Sequence, residues 1–296
     1  MNMHLAIWWM RRQWAKGDSV RDAGLLDPAS VEQRKDIRYA PGAGRWHLLD
    51  VYRPKDAQGL LPTIVSFHGG GWFYGDKELY SHYCLSLAER GFAVVNFNYR
   101  LAPEHRFPQG LSDAAAVFRW IRDAGKDEAI DPGRLFFVGD SAGAQLAFQY
   151  AALLRDPEYR KAFAFDIPPL PPLAVALNCG LYRIERGKGR FDGADILQRA
   201  YLGAHPSDAV LDSLDALGKM NAEFPPTFLM TSVNDPLSGE SAPLKERLEE
   251  LGIPHVYREY GQGIPEAGHV FHVNQKLAEG RRCNDDECAF FRGFLK

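Results

Sequence analysis

The sequence predicts an α/β fold in which helices cover both faces of a mostly parallel β-sheet. Three observations lead to this prediction. Strand-like runs alternate with helical runs from about residue 45 onward, the strand-like runs are apolar almost throughout, and the chain has 296 residues. Strands of that composition are buried on both faces, as in parallel sheets. A chain of this length with 46% apolar residues is able to bury such a core.

The predicted strands and helices follow one another in a regular order. A possible antiparallel strand at 47–52 precedes the alternation. Each later strand is a short run rich in apolar and β-branched residues, and the helices between strands supply the crossover connections that parallel pairing needs. The predicted strands are 60–67, 93–99, 135–138, 173–177, 227–233 and 256–260, and the predicted helices are 79–90, 112–124, 145–154 and 243–252.

Two segments outside this alternation are predicted to form a helical cap, namely residues 1–35 and part of 183–222. The first segment carries an apolar cluster that lies near one face of a helix, formed by Leu5, Trp8, Trp9 and Met10. A helix on a membrane surface is the alternative, but its polar side carries few bases. The aromatic side chains Trp8, Trp9 and Trp14 suggest a substrate wall, although core packing explains them equally well.

Composition and charge exclude several classes of protein. The formal net charge is −3, with acids and bases spread along the chain, so there is no basic stripe for nucleic acid. The four cysteines form neither a disulfide framework nor a metal-finger spacing and are expected to be free thiols. They are Cys84, Cys179, Cys283 and Cys288. No metal site is expected from this cysteine spacing. Because no run approaches the roughly 18 to 20 apolar residues of a membrane span, we expect a cytoplasmic protein.

The pentapeptide Gly-Asp-Ser-Ala-Gly at 139–143 is the strongest chemical signal in the sequence. It lies between the predicted strand 135–138 and a helix-like stretch. In that context a GxSxG motif is a nucleophile elbow, whose sharp turn holds the hydroxyl of Ser141 away from the backbone. The small neighbours let a base and a substrate approach the oxygen. The motif alone is a moderate signal, so its surroundings decide its meaning.

A second glycine-rich motif, His-Gly-Gly-Gly-Trp at 68–72, follows directly after a predicted strand. Three consecutive glycines cost conformational entropy, and so indicate a backbone that must approach another group closely. The N–H groups of Gly70, Gly71 and Ala142 are therefore predicted to form an oxyanion hole. A plain tight turn is the alternative, but a turn needs only one or two glycines.

A serine hydroxyl needs a base to become nucleophilic at neutral pH, and the base needs an acid to orient it. Among the nine histidines, His269 is the best candidate because its loop follows the last predicted strand. The C-terminal edge of a parallel sheet is where such folds place their chemistry. His272 is the alternative base, and His68 is expected to brace the glycine loop.

Asp235 is the predicted acid because it comes directly after the strand that precedes the last one. Neighbouring parallel strands end at the same sheet edge, so Asp235 and His269 are expected to meet. Glu240 and Glu266 are weaker alternatives, and aspartate before proline is also a common turn residue. The chain order Ser141, Asp235, His269 is that of α/β-hydrolases and not that of either major serine-protease fold.

These motifs make the chain similar to the hormone-sensitive-lipase-like carboxylesterases of the α/β-hydrolase fold. The resemblance covers about residues 45–296. It rests on the motif at 68–72, on Tyr-Arg-Leu-Ala-Pro-Glu-His-Arg-Phe-Pro at 99–108, on 139–143, on Asp-Pro-Leu at 235–237 and on His-Val-Phe at 269–271. It implies one domain over 1–296, a catalytic triad of Ser141, Asp235 and His269, and an oxyanion hole of Gly70, Gly71 and Ala142.

The resemblance also implies a function, the hydrolysis of carboxylic esters of short-chain or small aromatic acids through an acyl-enzyme. No metal or organic cofactor is expected, and the partner is a small-molecule ester. Glu104 and His105 are expected to brace loops around the site. Two alternatives stay open: a deacetylase, feruloyl esterase or formamidase on the same fold, and a non-catalytic small-molecule binding protein. A homodimer also stays open.

Overall fold

One eight-stranded sheet organises the computed structural model, which describes residues 3–184 and 193–295, without the side chains of 193–195. The strands are β1 (Val31–Arg38), β2 (Leu48–Pro54), β3 (Leu61–Phe67), β4 (Ala93–Phe97), β5 (Ile130–Asp140), β6 (Ala174–Asn178), β7 (Thr227–Ser232) and β8 (His255–Tyr260). Their order across the sheet is β1-β2-β4-β3-β5-β6-β7-β8. Pairing is parallel from β4 to β8, whereas β2 is antiparallel to both β1 and β4.

Helices connect these strands and cover the sheet. They are α1 (Met3–Asp22), α2 (Ser81–Glu89), α3 (Gln109–Ala124), α4 (Ala142–Arg155), α5 (Pro157–Arg160), α6 (Gly193–Leu202), α7 (Asp208–Leu214), α8 (Ala216–Lys219), α9 (Ser241–Glu250) and α10 (Ala278–Arg292). Residues of α3 and α4 pack in one apolar cluster and residues of α2 and α10 in a second. The predicted mostly parallel sheet with helices on both faces is confirmed, as is the antiparallel strand that precedes it.

Strand β1 is the element that the sequence pattern missed. Its sequence is polar, and only its first residue, Val31, is buried. It pairs with β2 at the sheet edge, so the backbone groups on one side of the strand are hydrogen-bonded. Most of its side chains reach solvent. Residues 31–35, which fall in the predicted cap segment 1–35, therefore lie in the sheet.

The central strand β5 shows how the two apolar clusters are kept apart. Successive side chains of a strand point to opposite faces. Phe137 packs against Phe118 of α3 on one face, with ring centroids 4.9 Å apart. Phe136 stacks on Phe291 of α10 on the other face, at 4.6 Å. Helices therefore cover both faces of the sheet, so functional groups are expected at its C-terminal edge.

Helices α1 and α6 contact each other above that edge. Trp14 of α1 packs on Phe73, with ring centroids 5.0 Å apart, and Tyr201 of α6 stacks on Trp72 at 4.6 Å. Trp8 and Trp9 are both more than half exposed, and within the described ranges neither lines the two cavities that Ser141 borders. Of the predicted cap segment 183–222, residues 185–192 lie outside the described residues. None of the described helices combines the length and the apolar character that a membrane crossing needs.

Candidate active site

Ser141 lies on a sharp turn between β5 and α4, as the GxSxG motif predicts. Its backbone has φ 52° and ψ −120°, outside the regions that L-residues favour. Both motif glycines are required by close packing: a Cβ at Gly139 would collide with the carbonyl of Gly143, and one at Gly143 with the carbonyl of Phe67. The N–H of Ser141 donates to the carbonyl of Asn178 at 2.9 Å. The turn is therefore fixed by β3 on one side and β6 on the other.

A continuous hydrogen-bond chain joins the three predicted triad residues. His269 Nε2 lies 3.0 Å from the Oγ of Ser141, and its Nδ1 lies 3.0 Å from Oδ1 of Asp235. Asp235 follows β7 and is buried, whereas the side chain of His269 is about one third exposed. The loops after the last two strands thus bring acid and base to the serine. His269 lies 128 residues from Ser141 and 34 residues from Asp235 in the sequence.

The carboxylate of Asp235 is held in its ionised form. Burial alone raises the pKa of such a group, but the hydrogen bond and charge of His269 work against burial. The N–H of Leu237 also donates to Oδ1 at 2.8 Å, and the thiol of Cys179 faces the carboxylate. Together they lower the pKa of Asp235 below its ordinary value. An ionised Asp235 keeps the Nδ1 proton of His269 in place, which leaves Nε2 as the acceptor for the hydroxyl.

The alternative histidines are placed away from this chain. His272 is fully buried, neither ring nitrogen has a hydrogen-bond partner among the described residues, and burial lowers its pKa to about 3. His68 is also buried, its pKa is lowered by burial to about 4, and it stacks on Tyr99 at 4.1 Å. Its Nδ1 bonds the carbonyl of Gly69 at 2.8 Å, so it braces the glycine loop as expected. The structure pairs His269 with Asp235 and with neither Glu240 nor Glu266.

The glycine loop borders the same cavities as Ser141. Gly70 has φ 116°, and a Cβ there would collide with the carbonyl of Tyr74, so only glycine fits. A cavity of about 400 Å³ is lined by Gly70, Gly71, Ser141 and His269, and one of about 460 Å³ by Gly71, Ser141 and Ala142. Ala142 is the first residue of α4, where helical N–H groups have no partner within the helix. Each of the three predicted oxyanion-hole residues therefore lines a cavity that Ser141 also lines.

Comparison with known proteins identifies the family. The model of the alpha/beta hydrolase fold family matches residues 64–273. This chain belongs to the α/β-hydrolase family. The family expected from the motifs is confirmed, together with its fold.

Several esterases resemble this α/β-hydrolase. Versiconal hemiacetal acetate esterase from Dothistroma septosporum is 29% identical over 244 residues, which is 78% of this chain and 73% of that protein. Carboxylesterase NlhH from Mycobacterium tuberculosis is 30% identical over 210 residues, 69% of this chain and 65% of that protein. An inhibited crystal structure of esterase B from Lactobacillus rhamnosis is 26% identical, with a TM-score of 0.91 over 100% of this chain and 97% of that one.

A buried carboxylate supports the glycine loop of this α/β-hydrolase from below. Asp140 accepts a hydrogen bond from the hydroxyl of Tyr80 at 2.7 Å, and that hydroxyl accepts the N–H of Gly69 at 2.9 Å. Burial raises the pKa of Asp140 to about 7, although the Tyr80 hydrogen bond lowers it. Sequence reasoning did not assign either residue. Asp140 lies inside the GDSAG motif, but nothing in the sequence pattern marks Tyr80.

Cys179 is a further residue that sequence reasoning left unassigned. Donor atoms of Cys179, Asp235 and His269 lie within 4.8 Å of one another, a spacing that suits a metal ion. Two of these donors, Asp235 Oδ1 and His269 Nδ1, already bond each other. Burial and the charge of Asp235 raise the pKa of the Cys179 thiol well above its ordinary value, whereas a metal ligand must lose its proton. The hydrogen-bond chain from Ser141 through His269 to Asp235 explains this cluster.

Proposed function

We propose that this protein hydrolyses small carboxylic esters through an acyl-enzyme on Ser141. The observation that supports it most is the hydrogen-bond chain from Ser141 through His269 to the ionised Asp235, set beside a glycine-rich loop. Such a chain activates a hydroxyl that is otherwise a poor nucleophile. The named relatives are esterases, which supports ester bonds over amide or formamide bonds.

The first half of the reaction forms the acyl-enzyme. As Oγ of Ser141 attacks the ester carbonyl, its proton moves to Nε2 of His269, and Asp235 stabilises the imidazolium. The carbonyl oxygen becomes an oxyanion, which accepts hydrogen bonds from the N–H groups of Gly70, Gly71 and Ala142. When the tetrahedral intermediate collapses, the bond to the alcohol oxygen breaks. His269 gives its proton to that oxygen and the alcohol leaves.

Water completes the cycle through the same groups. His269 takes a proton from a water molecule, whose oxygen attacks the acyl carbon. The second oxyanion occupies the same hole. Collapse breaks the bond to Oγ, which recovers its proton from His269 as the carboxylic acid leaves. The enzyme returns to its starting state, and each step uses groups that belong to the chain itself.

The two cavities beside Ser141 support a division of the substrate. His269 lines the 400 Å³ cavity, so the alcohol that receives its proton leaves through that side. The 460 Å³ cavity is lined by the apolar side chains of Trp72 and Leu181, which suit a small acyl group, and also by polar side chains. These polar residues are Arg183, Gln198 and Glu240. The proposed substrates are therefore esters of short-chain or small aromatic acids.

Helices α1 and α6 are the proposed cap over this site. Trp14 of α1 lines the cavity that contains His269, and Leu197 of α6 lines both cavities. A polar contact also holds α1 to the segment that follows the glycine loop. The carboxylate of Asp18 accepts a hydrogen bond from the hydroxyl of Tyr74 at 2.5 Å. A cap held in this way excludes water and confines the substrate.

Hydrolysis of p-nitrophenyl esters of increasing acyl length tests the proposal directly. The wild type should prefer acetate or butyrate over octanoate, and Ser141→Ala should lose at least about 10⁴-fold in kcat. An arylphosphonate should add one phosphonyl group per chain, and peptide mass spectrometry should locate it on Ser141. Ligand binding without turnover would favour the non-catalytic binding protein instead. A preference for N-formyl substrates would favour a formamidase, and a preference for acetylated or feruloylated sugars would favour a deacetylase or a feruloyl esterase.

We also propose a cytoplasmic location, and the homodimer stays a prediction. All four cysteines lie in the described ranges, and all are buried free thiols, which suits a reducing compartment. Cell fractionation tests the location, and recovery outside the cytoplasm contradicts it. Sedimentation velocity at micromolar concentration measures the number of chains in the particle.

A further inference from the structure

The outer face of α1 exposes an unusual group of apolar side chains. Seven large apolar side chains are prominently exposed among the described residues, and four of them lie on this helix: Leu5, Trp8, Trp9 and Val20. Leu5 and Trp9 lie four residues apart, and Trp8 is one turn from Leu5, so they share a face. Each is between 54% and 69% exposed. An exposed aromatic and aliphatic patch of this kind marks an interaction surface.

The charges of α1 are divided between its two sides. Its exposed face carries the bases Arg12 and Lys16 next to the apolar patch, and the guanidinium of Arg12 lies 5.0 Å from the ring centre of Trp8. Its acids, Asp18 and Asp22, are turned inward and both pair with Arg21. The polar side of α1 carries few bases, as the sequence indicates, but Arg12 and Lys16 both lie exposed beside the apolar patch, although the whole chain has a formal net charge of −3.

The helix is a rigid support for this face. On its inner side the guanidinium of Arg11 donates to the carbonyls of Phe73 and Ala102, and Arg21 donates to the carbonyl of Leu79. These bonds hold α1 against the body of the protein over its length. The exposed tryptophans are thus presented in a fixed orientation, which lowers the entropy cost of docking.

We propose that the outer face of α1 docks on an anionic lipid surface. Tryptophan rings combine an apolar body with a polar N–H and favour the boundary between headgroups and acyl chains. Arg12 and Lys16 lie beside the rings, where they reach lipid phosphates. Docking of two copies of the chain through this face is disfavoured, because a two-fold interface would bring like charges together.

The inner side of the same helix connects this surface to the candidate site. Trp14, Gly17 and Arg21 line the cavity that contains Ser141 and His269. A docked α1 therefore places that cavity beside the lipid boundary, where apolar esters concentrate. The docking itself requires no catalysis, so it stands or falls independently of the proposed esterase activity.

Flotation of the full chain with vesicles tests the proposal. The protein should float with phosphatidylcholine vesicles that contain about 30% of the anionic lipid phosphatidylglycerol. It should float much less with vesicles of phosphatidylcholine alone. Arg12→Gln with Lys16→Gln should lower the partition coefficient about thirtyfold, because each base near the surface contributes about fivefold. Trp8→Ala with Trp9→Ala should lower it about tenfold or more. Added salt should weaken binding of the wild type.

Matched variants separate docking from damage to the fold. Lys35→Gln with Lys126→Gln removes the same charge from exposed positions outside α1, and Leu26→Ala removes an exposed apolar side chain outside it. These controls should bind vesicles like the wild type, as should Ser141→Ala. All α1 variants should hydrolyse a soluble short-chain ester at the wild-type rate. Equal binding to both vesicle types overturns the proposal, as does unchanged binding of both α1 variants, or a dimer that the Trp8 and Trp9 changes dissociate.

Discussion

The side-chain amide of Asn178 donates a 2.8 Å hydrogen bond to the buried carboxylate of Glu287. The other carboxylate oxygen accepts the hydroxyl of Tyr83 at 3.0 Å. Complete burial raises the pKa of Glu287 to about 7, although both donors lower it. Because the carbonyl of Asn178 holds the N–H of Ser141, the C-terminal helix α10 supports the nucleophile turn through one intervening residue.

Replacing this carboxylate should change how stability depends on pH. Between the ordinary pKa of 4.5 and the folded value of about 7, native Glu287 keeps a proton that the unfolded chain has released. The stability of the wild type relative to Glu287→Gln should therefore fall as pH rises through that window. Urea denaturation at pH 5 and pH 8 measures the difference.

Glu246→Gln, at an exposed glutamate on α9, is the matched control for that measurement. It should leave the free energy of unfolding within about 0.5 kcal/mol of the wild type at both pH values. If the wild type instead gains stability over Glu287→Gln between pH 5 and pH 8, the buried carboxylate does not titrate in the direction given by its burial.

Replacing His269 should lower kcat, whereas replacing His272 in the same loop should leave kcat nearly unchanged. His269→Gln removes the proposed base and should lower kcat about 10⁴-fold or more, with little change in stability. His272→Leu exchanges a buried ring that lacks hydrogen bonds for an apolar side chain and should keep kcat within about fivefold of the wild type. Steady-state kinetics and thermal unfolding of both variants check this. A loss of turnover in His272→Leu alone would exchange the proposed roles.

The sequence signals are strongest where chemistry restricts residues locally. A nucleophile turn needs small residues around Ser141, and a close backbone approach needs glycine at 70, so both motifs are visible in the chain. Asp235 and His269 are predictable as neighbours because the ends of parallel strands meet at one edge. The structure brings all three predicted triad residues together in one hydrogen-bond chain.

The supporting residues escaped prediction because their partners are distant in sequence. Tyr80 lies 60 residues from Asp140, and Asn178 lies 109 residues from Glu287. No local pattern encodes such pairs, since packing of α2 and α10 on the sheet brings them together. The same limit applies to β1, which is a polar edge strand whose only signal is its pairing with β2.

Tyr80→Phe should loosen the glycine loop. The change leaves the N–H of Gly69 and an oxygen of Asp140 without their buried partner, which costs about 1–3 kcal/mol of stability. Because Gly69 precedes the proposed oxyanion-hole residues, kcat should fall about tenfold to a hundredfold, while KM changes little. The measurement is kcat and KM for a short-chain ester.

Tyr52→Phe is the matched control for the glycine loop. Its hydroxyl is also buried and also donates to a carboxylate, that of Asp50 at 3.0 Å, but it lies on β2 away from Ser141. This variant should lose a similar amount of stability and keep its kcat. Equal losses of kcat in both variants would mean that the effect of Tyr80 is general destabilisation.

Alanine at two glycines should shift stability in opposite directions. At Gly143 the new Cβ would meet the carbonyl of Phe67, a backbone atom of a central strand that cannot move aside. Gly143→Ala should therefore cost about 3 kcal/mol or more and displace the turn that carries Ser141. Gly17 lies inside helix α1, and no described residue outside its own helical backbone has an atom within 4 Å of its Cβ position, so Gly17→Ala should stabilise the protein by about 0.5–1 kcal/mol. Chemical denaturation of both variants measures these changes, and a Gly143→Ala protein as stable as the wild type would mean that the elbow packs less closely than its backbone geometry indicates.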